Sequence, residues 1–180
     1  CWSKCAHAVL DVCRARAFGA RDRLDDVRRI HTARAFFGMQ YRIAAFADIA
    51  GRRAPHDGPL RVLSVGRLHW NKGLDDGLRA VASARATGAS IDYRIVGEGP
   101  ERPKLTFLVD QLGLGADVEL LGSTDQAGVR DQLAWADVLL LPSLSEGISN
   151  AVLEAMASGL AVIATSSGDD ETADRTPVTV

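Results

Sequence analysis

The sequence predicts an α/β protein built on a parallel sheet, and three observations lead there. From Leu60 onward, short aliphatic runs alternate with longer stretches of helical pattern. Their aliphatic content suits strands covered on both faces. Four of the five runs are followed by a helix candidate, which is the βαβ repeat of a parallel sheet with right-handed crossovers.

Taken in order, the strand candidates are Arg61 to Val65, Ile91 to Val96, Val118 to Leu121, Val138 to Leu141 and Ala161 to Ala164. The helix candidates between them are Lys72 to Ala86, Glu101 to Gln111, Asp125 to Trp135 and Asn150 to Ser158. Local signals fit these bounds. Pro100 and Pro103 suit a first helical turn, Ser123-Thr124-Asp125-Gln126 has the form of a capping box, and Gly88, Gly113 and Gly159 suit helix ends. The expected architecture is Rossmann-like, with helices on both faces of the sheet.

Residues 1 to 59 have a different character. They carry 11 Lys and Arg against 6 acidic residues, whereas residues 60 to 180 carry 10 against 17. Candidate helices run from Trp2 to Phe18 and from Leu24 to Ile49, and Gly51 to Pro59, with two prolines and two glycines, forms a linker or boundary. The overall net charge of -2 gives no reason to expect nucleic acid as a partner. No apolar run reaches the ~18 residues of a membrane span, and no secretory signal pattern is present at the start. A cytoplasmic location with at most peripheral contact at the inner face of a membrane is the expectation. Cys1, Cys5 and Cys13, with His7, lack the close Cys-x-x-Cys spacing of structural zinc sites and read as small reduced thiols.

In an open parallel sheet, ligands bind beyond the carboxyl ends of the strands. Three loops fall there: Gly66 to Gly73, Gly97 to Pro100 and Pro142 to Ser149. In the first, Gly66 permits close backbone approach, and Arg67 and Lys72 offer a planar fork and a point charge to a diphosphate. Gly97-Glu98-Gly99-Pro100 is a tight strand-to-helix turn that stops short of a dinucleotide fingerprint. In the third, Glu146 lies in a loop and Glu154 lies in the second turn of a helix that starts near Asn150. Unpaired amides at such a helix start attract phosphate, and helical side chains lean back toward the N-terminus. One carboxylate on each side of an anion-binding turn suits a ligand with hydroxyls at both ends and phosphates between, a nucleotide-sugar. A paired-carboxylate hydrolase is the competing chemistry, and the cationic loop fits it less well.

The ordered set Val65-Gly66-Arg67-Leu68 with Lys72-Gly73, Ile95-Val96-Gly97-Glu98-Gly99-Pro100, Leu121-Gly122, Ala136-Asp137-Val138 with Leu141-Pro142-Ser143, Glu146-Gly147, Glu154-Ala155-Met156-Ala157-Ser158-Gly159 and Val162-Ile163-Ala164-Thr165 resembles a known family. It is similar to the C-terminal, donor-binding domain of the GT-B fold retaining glycosyltransferases, often called group 1 or family four. The resemblance implies the C-terminal half of a GT-B fold over residues 60 to 180, truncated at its far end. Residues 1 to 59 are then a remnant of, or linker from, an N-terminal acceptor-binding domain.

The resemblance also implies roles. Arg67 and Lys72 hold the donor diphosphate and offset the charge that grows on the leaving group; with Glu146, which contacts donor-sugar hydroxyls, they form the expected catalytic set. Gly66, Gly97, Gly147, Ile148, Ser149, Asn150 and Glu154 bind the donor, with Glu154 accepting from the ribose hydroxyls. The implied donor is a UDP-, GDP- or ADP-linked sugar and the acceptor a saccharide or lipid-linked saccharide, with no cofactor and no metal required. The chain begins with Cys1 and not with methionine, so it is expected to be a fragment; residues 1 to 59 are too few for an acceptor-binding domain, so it is not expected to transfer sugar unaided. Two other readings fit the same fold: a non-catalytic nucleotide-sugar-binding module and a GT-B sugar-nucleotide epimerase.

Overall fold

A computed structural model describes residues 7–11, 49, 56–144, 149–165 and 177–179. Five parallel strands form where the apolar runs predicted them: β1 (Leu60–Val65), β2 (Ile91–Val96), β3 (Val118–Gly122), β4 (Val138–Leu141) and β5 (Ala161–Thr165). A sixth, β6 (Pro177–Thr179), which the sequence did not suggest, pairs antiparallel with β5. The sheet order is β3-β2-β1-β4-β5-β6.

Between the strands lie α1 (Leu74–Ala86), α2 (Arg102–Gln111), α3 (Gln126–Trp135) and α4 (Asn150–Ala157). The first helix starts later than its sequence pattern suggested. Trp70–Lys72 forms a separate 3-10 turn, and Gly73, at φ 58°, breaks it from α1. A side chain at Gly73 would meet the Pro142 carbonyl oxygen at 2.1 Å, so glycine is required there twice over. The start of α3 also differs from the capping box expected from Ser123. Asp125 is the N-cap, and its Oδ1 accepts from the Gly128 N–H at 2.9 Å, which leaves Gln126 as the first helical residue. The aspartate two residues closer to the helix supplies a charged acceptor, a stronger cap than the serine hydroxyl. Gly88, Gly113 and Gly159 all adopt positive φ just past helix ends, as expected.

Alternation along the strands distributes the core over two faces. Val62, Tyr93, Leu140 and Ile163 pack with Leu78, Val81, Leu105 and Leu108 of α1 and α2. Their neighbours Leu63, Leu139 and Val162 pack on the opposite face with Leu133 of α3 and Ala155 of α4. Each fully buried leucine contributes about 1.5–3 kcal/mol, so the strands are fixed mainly by this two-sided burial. Residues 7–11 are helical, and Ala8 and Val9 are buried in the same cluster as β1. The N-terminal segment therefore contributes to the core at these positions. The remainder of the two N-terminal helix candidates, apart from Ile49, and residues 51–55 of the linker lie outside the described residues.

Candidate functional site at the carboxyl rim of the sheet

The strand order creates the site. Chain direction across the sheet reverses between β1 and β4: β2 and β3 extend to one side, β4 and β5 to the other. Right-handed crossovers then put α1 and α2 on one face and α3 and α4 on the other, so the helices that follow β1 and β4 leave on opposite faces and open a crevice at this switch point. The parallel register Val62↔Val138 and Leu63↔Leu139 sets the ends of these two strands side by side.

The loop after β1 is held on both flanks. On one flank the Gly66 N–H donates to the Val96 carbonyl at 3.0 Å and the Leu68 N–H to the Glu98 carbonyl at 2.9 Å, while the Glu101 N–H returns to the Leu68 carbonyl at 3.1 Å. Gly97, at φ 145°, brings its Cα so close that a side chain would sit 1.8 Å from the Gly66 oxygen, and one at Gly99 would sit 2.2 Å from the Leu68 oxygen. The glycines of the Gly-Glu-Gly-Pro turn thus let two rim loops touch. Its Glu98 bonds Arg102 at 2.8 Å, and Arg102 also donates to the Leu120 carbonyl at 3.1 Å. On the other flank, the Leu144 N–H donates to the Asn71 carbonyl at 2.8 Å, and Gly73 nests against Pro142. The β1 and β4 loops are one clamped unit up to Leu144.

Within this unit Gly66, Arg67 and Lys72 come together. With Ser64, Val65, Leu74, Ile95 and Leu141 they line one small pocket, and the Cε of Lys72 lies 3.8 Å from where a Gly66 side chain would begin. Arg67 is exposed and makes no ion pair among the described residues. Two cations in one recess, one of them unpaired here, form an anion-binding arrangement.

Beneath the recess runs a buried polar chain that the sequence did not signal. The Tyr93 hydroxyl lies 2.8 Å from Ser64 Oγ, which in turn donates to the Leu140 carbonyl, and both side chains are buried. Tyr93 thereby ties β2, β1 and β4 together directly under the crevice. Thr165 Oγ1 donates to the Ser143 carbonyl and joins β5 to the same rim.

Beyond β4, α4 begins at Asn150 with Ser149 as N-cap. The Ser149 side chain makes no capping bond, and the first-turn amides of α4 have no intrahelical partner. Glu154 lies in the second turn and is half-buried. Ser149, Asn150 and Glu154 are thus on the β4 side of the crevice, while Arg67 and Lys72 are on the β1 side. Glu146, Gly147 and Ile148 lie outside the described residues. A larger open depression of about 520 Å³, lined by Asp76, Arg79, Ser83 and Leu112 of α1 and the end of α2, includes none of the expected site residues. Among the described residues, no group of three or more His, Cys, Asp or Glu side chains is placed to hold a metal ion. None of the described helices is long and apolar enough to cross a membrane.

The family described as glycosyl transferases group 1 matches residues 59–178, more than half of the chain. The chain belongs to this family. Among its relatives, a Salmonella typhimurium protein provisionally named a colanic acid biosynthesis glycosyltransferase is 39% identical over 113 residues, which cover 59% of this chain and 28% of the relative. The amylovoran biosynthesis glycosyltransferase of Erwinia amylovora is 38% identical over 111 residues, 58% of this chain and 27% of that protein. The solved apo structure of a lipopolysaccharide outer core galactosyltransferase matches with a TM-score of 0.58 and 26% identity, over 66% of this chain and 34% of the other. This group 1 chain therefore has the α/β architecture of the GT-B glycosyltransferases, and its matched region spans about a third or less of each relative's length.

Proposed function

We propose that this group 1 chain is the donor-binding half of a retaining glycosyltransferase that makes a polysaccharide, lipopolysaccharide or glycolipid, with a UDP-, GDP- or ADP-linked sugar as donor. The observation that carries this reading is the pairing of two walls across the β1/β4 reversal. Arg67 and Lys72 share a recess on one wall, and a helix start whose Ser149 side chain makes no capping bond, followed by Glu154, stands on the other. A diphosphate bridging the walls is met by cations from one side and helix amides from the other. Glu154 accepts from the ribose hydroxyls, and Glu146 with the amides of Gly147 and Ile148 takes the transferred sugar.

The chemical contribution of this half is electrostatic. As the bond between sugar and phosphate breaks, negative charge accumulates on the departing diphosphate, and Arg67 and Lys72 stabilise that charge where it develops. The acceptor, a saccharide or lipid-linked saccharide, approaches from a second wall supplied by an N-terminal domain of the longer protein. Cationic side chains and a helix terminus take the role that a metal ion fills in other phosphate sites.

Calorimetric titration of the chain with UDP, GDP and ADP and with their sugar conjugates tests the reading. One of the three bases is expected to bind weakly. Arg67→Ala and Lys72→Ala each lower that affinity about tenfold, the equivalent of one charged hydrogen bond. Glu154→Ala lowers affinity for the ribonucleotide by a similar factor. Unchanged affinity in both Arg67→Ala and Glu154→Ala rejects the site.

A further inference from the structure

Trp70 is 61% exposed and stands in the 3-10 turn between Arg67 and Lys72. The other large exposed apolar side chains among the described residues sit elsewhere: Phe107 and Met156 on helices, and Leu121 near the end of β3. An isolated exposed tryptophan carries little meaning by itself. Here its backbone is fixed on every side. The Lys72 N–H donates to the His69 carbonyl at 2.9 Å, the Gly73 N–H to the Trp70 carbonyl at 3.2 Å, and the Leu144 N–H to the Asn71 carbonyl at 2.8 Å. Nδ1 of His69 and Oδ1 of Asn71 are 2.9 Å apart, and the His69 ring lies 5.7 Å from the indole at a tilt of 42°. The turn would form without an aromatic at 70, because all of these bonds use the backbone or the neighbouring side chains. A hydrogen-bonded turn that exposes a large planar apolar surface, in the same loop as two cations, has the makings of a ligand contact and adds nothing to the fold's own core.

We infer that Trp70 is a specificity-determining residue whose indole stacks on the carbon–hydrogen face of a pyranose ring. The inference rests on the proposed nucleotide-sugar site. If Arg67 and Lys72 hold the diphosphate, the sugar joined to it and the saccharide that attacks it both lie within reach of this turn. Pyranoses present an apolar face flanked by hydroxyls, which matches an indole bordered by the polar groups of His69 and Asn71. The ring can come from the donor sugar or from the acceptor, and the two sources are separable.

The chain has three tryptophans, Trp2, Trp70 and Trp135, so an isotope-labelled sample gives three indole N–H resonances. Trp70→Phe assigns the one of interest, and Trp135, held by Arg94 at 4.0 Å from its ring, serves as an internal reference. UDP, GDP and ADP are titrated first, then UDP-glucose, GDP-mannose and ADP-glucose, then methyl α-glucoside and methyl α-galactoside in the presence of the diphosphate that binds. A Trp70 shift beyond that caused by the diphosphate alone is expected. If it appears with the sugar nucleotide the source is the donor, and if it appears with the glycoside the source is the acceptor. Trp70→Ala weakens the compound responsible about fivefold, Trp70→Phe restores most of the loss, and diphosphate affinity stays the same in both. Diphosphate binding with a Trp70 resonance indifferent to every sugar overturns this inference and leaves the proposed site standing. Absence of any diphosphate binding overturns both.

Discussion

At the scale of single residues, the sequence assigned Gly66 and Gly97 to the ligand, and the structure gives Gly97 a nearer reason to be glycine, whereas a side chain at Gly66 would meet only Lys72 Cε at 3.8 Å. Gly97 lies against the Gly66 carbonyl, and no side chain fits between them. The effect of Gly97→Ala is therefore on stability: positive φ costs about 1–3 kcal/mol, and the overlap with backbone adds to it. Urea unfolding of the variant is expected to show a loss of at least that size, and a loss below about 0.5 kcal/mol contradicts the tight loop contact. Tyr93 is the opposite case, since nothing in Ile-Asp-Tyr-Arg-Ile-Val marks it as more than a strand residue. Its hydroxyl partner, Ser64, is 29 residues away, and contacts of that separation are not readable from local pattern. Tyr93→Phe is expected to cost about 1 kcal/mol by removing one buried hydrogen bond, with nucleotide affinity reduced only slightly. The cationic pair was legible for a simple reason. Arg67 and Lys72 flank a short turn directly after a strand, so sequence distance and spatial distance nearly coincide.

Elements were legible where propensity and burial agree. All five predicted strands form, and the aliphatic runs of β1 and β4 at the sheet's centre are buried by the layers on both faces. The ends moved where two side chains offer alternative caps, as at Asp125 and Ser123. Asp125→Ala is expected to destabilise the protein by about 1 kcal/mol in thermal or urea unfolding, whereas Ser123→Ala leaves it nearly unchanged. Between elements, Lys104 of α2 bonds both Glu101 and Asp75 of α1 at 3.1 Å. The Glu101 hydrogen bond, then that of Asp75, raises its pKa above the ordinary lysine value. A raised pKa in the folded state means that the contribution is fully present below the unfolded lysine pKa of about 10.4 and is lost as pH rises through the folded value. The side chain is more than half exposed, so screening keeps the contribution small, within about 0–1 kcal/mol. Comparing Lys104→Met with the parent by thermal unfolding, the difference should stay constant through neutral pH and shrink only above about pH 10.

For the molecule as a whole, the decisive feature is the reversal of strand order between β1 and β4. The βαβ alternation implied that three loops share one rim. It did not say which strands are neighbours, because every right-handed crossover looks alike in the sequence whichever way it steps across the sheet. Only the order β3-β2-β1-β4-β5 shows that the carboxyl end of β1, which leads to Arg67 and Lys72, lies beside that of β4, which leads to Pro142 and Leu144. The Leu144–Asn71 bond and the Gly73–Pro142 contact then hold the two as a unit. The same order explains why the larger depression beside Asp76, Arg79, Ser83 and Leu112 is the poorer candidate, since it lies along the flanks of two helices and not at a strand end. Mapping amide shifts in the 180-residue chain during titration with UDP, GDP and ADP tests this claim most directly. The responding amides are expected to be those of residues 66–73 and of the first turn of α4, with those around Asp76, Arg79, Ser83 and Leu112 unmoved. Shifts centred on the α1/α2 depression, with the β1 loop and the start of α4 silent, would contradict it.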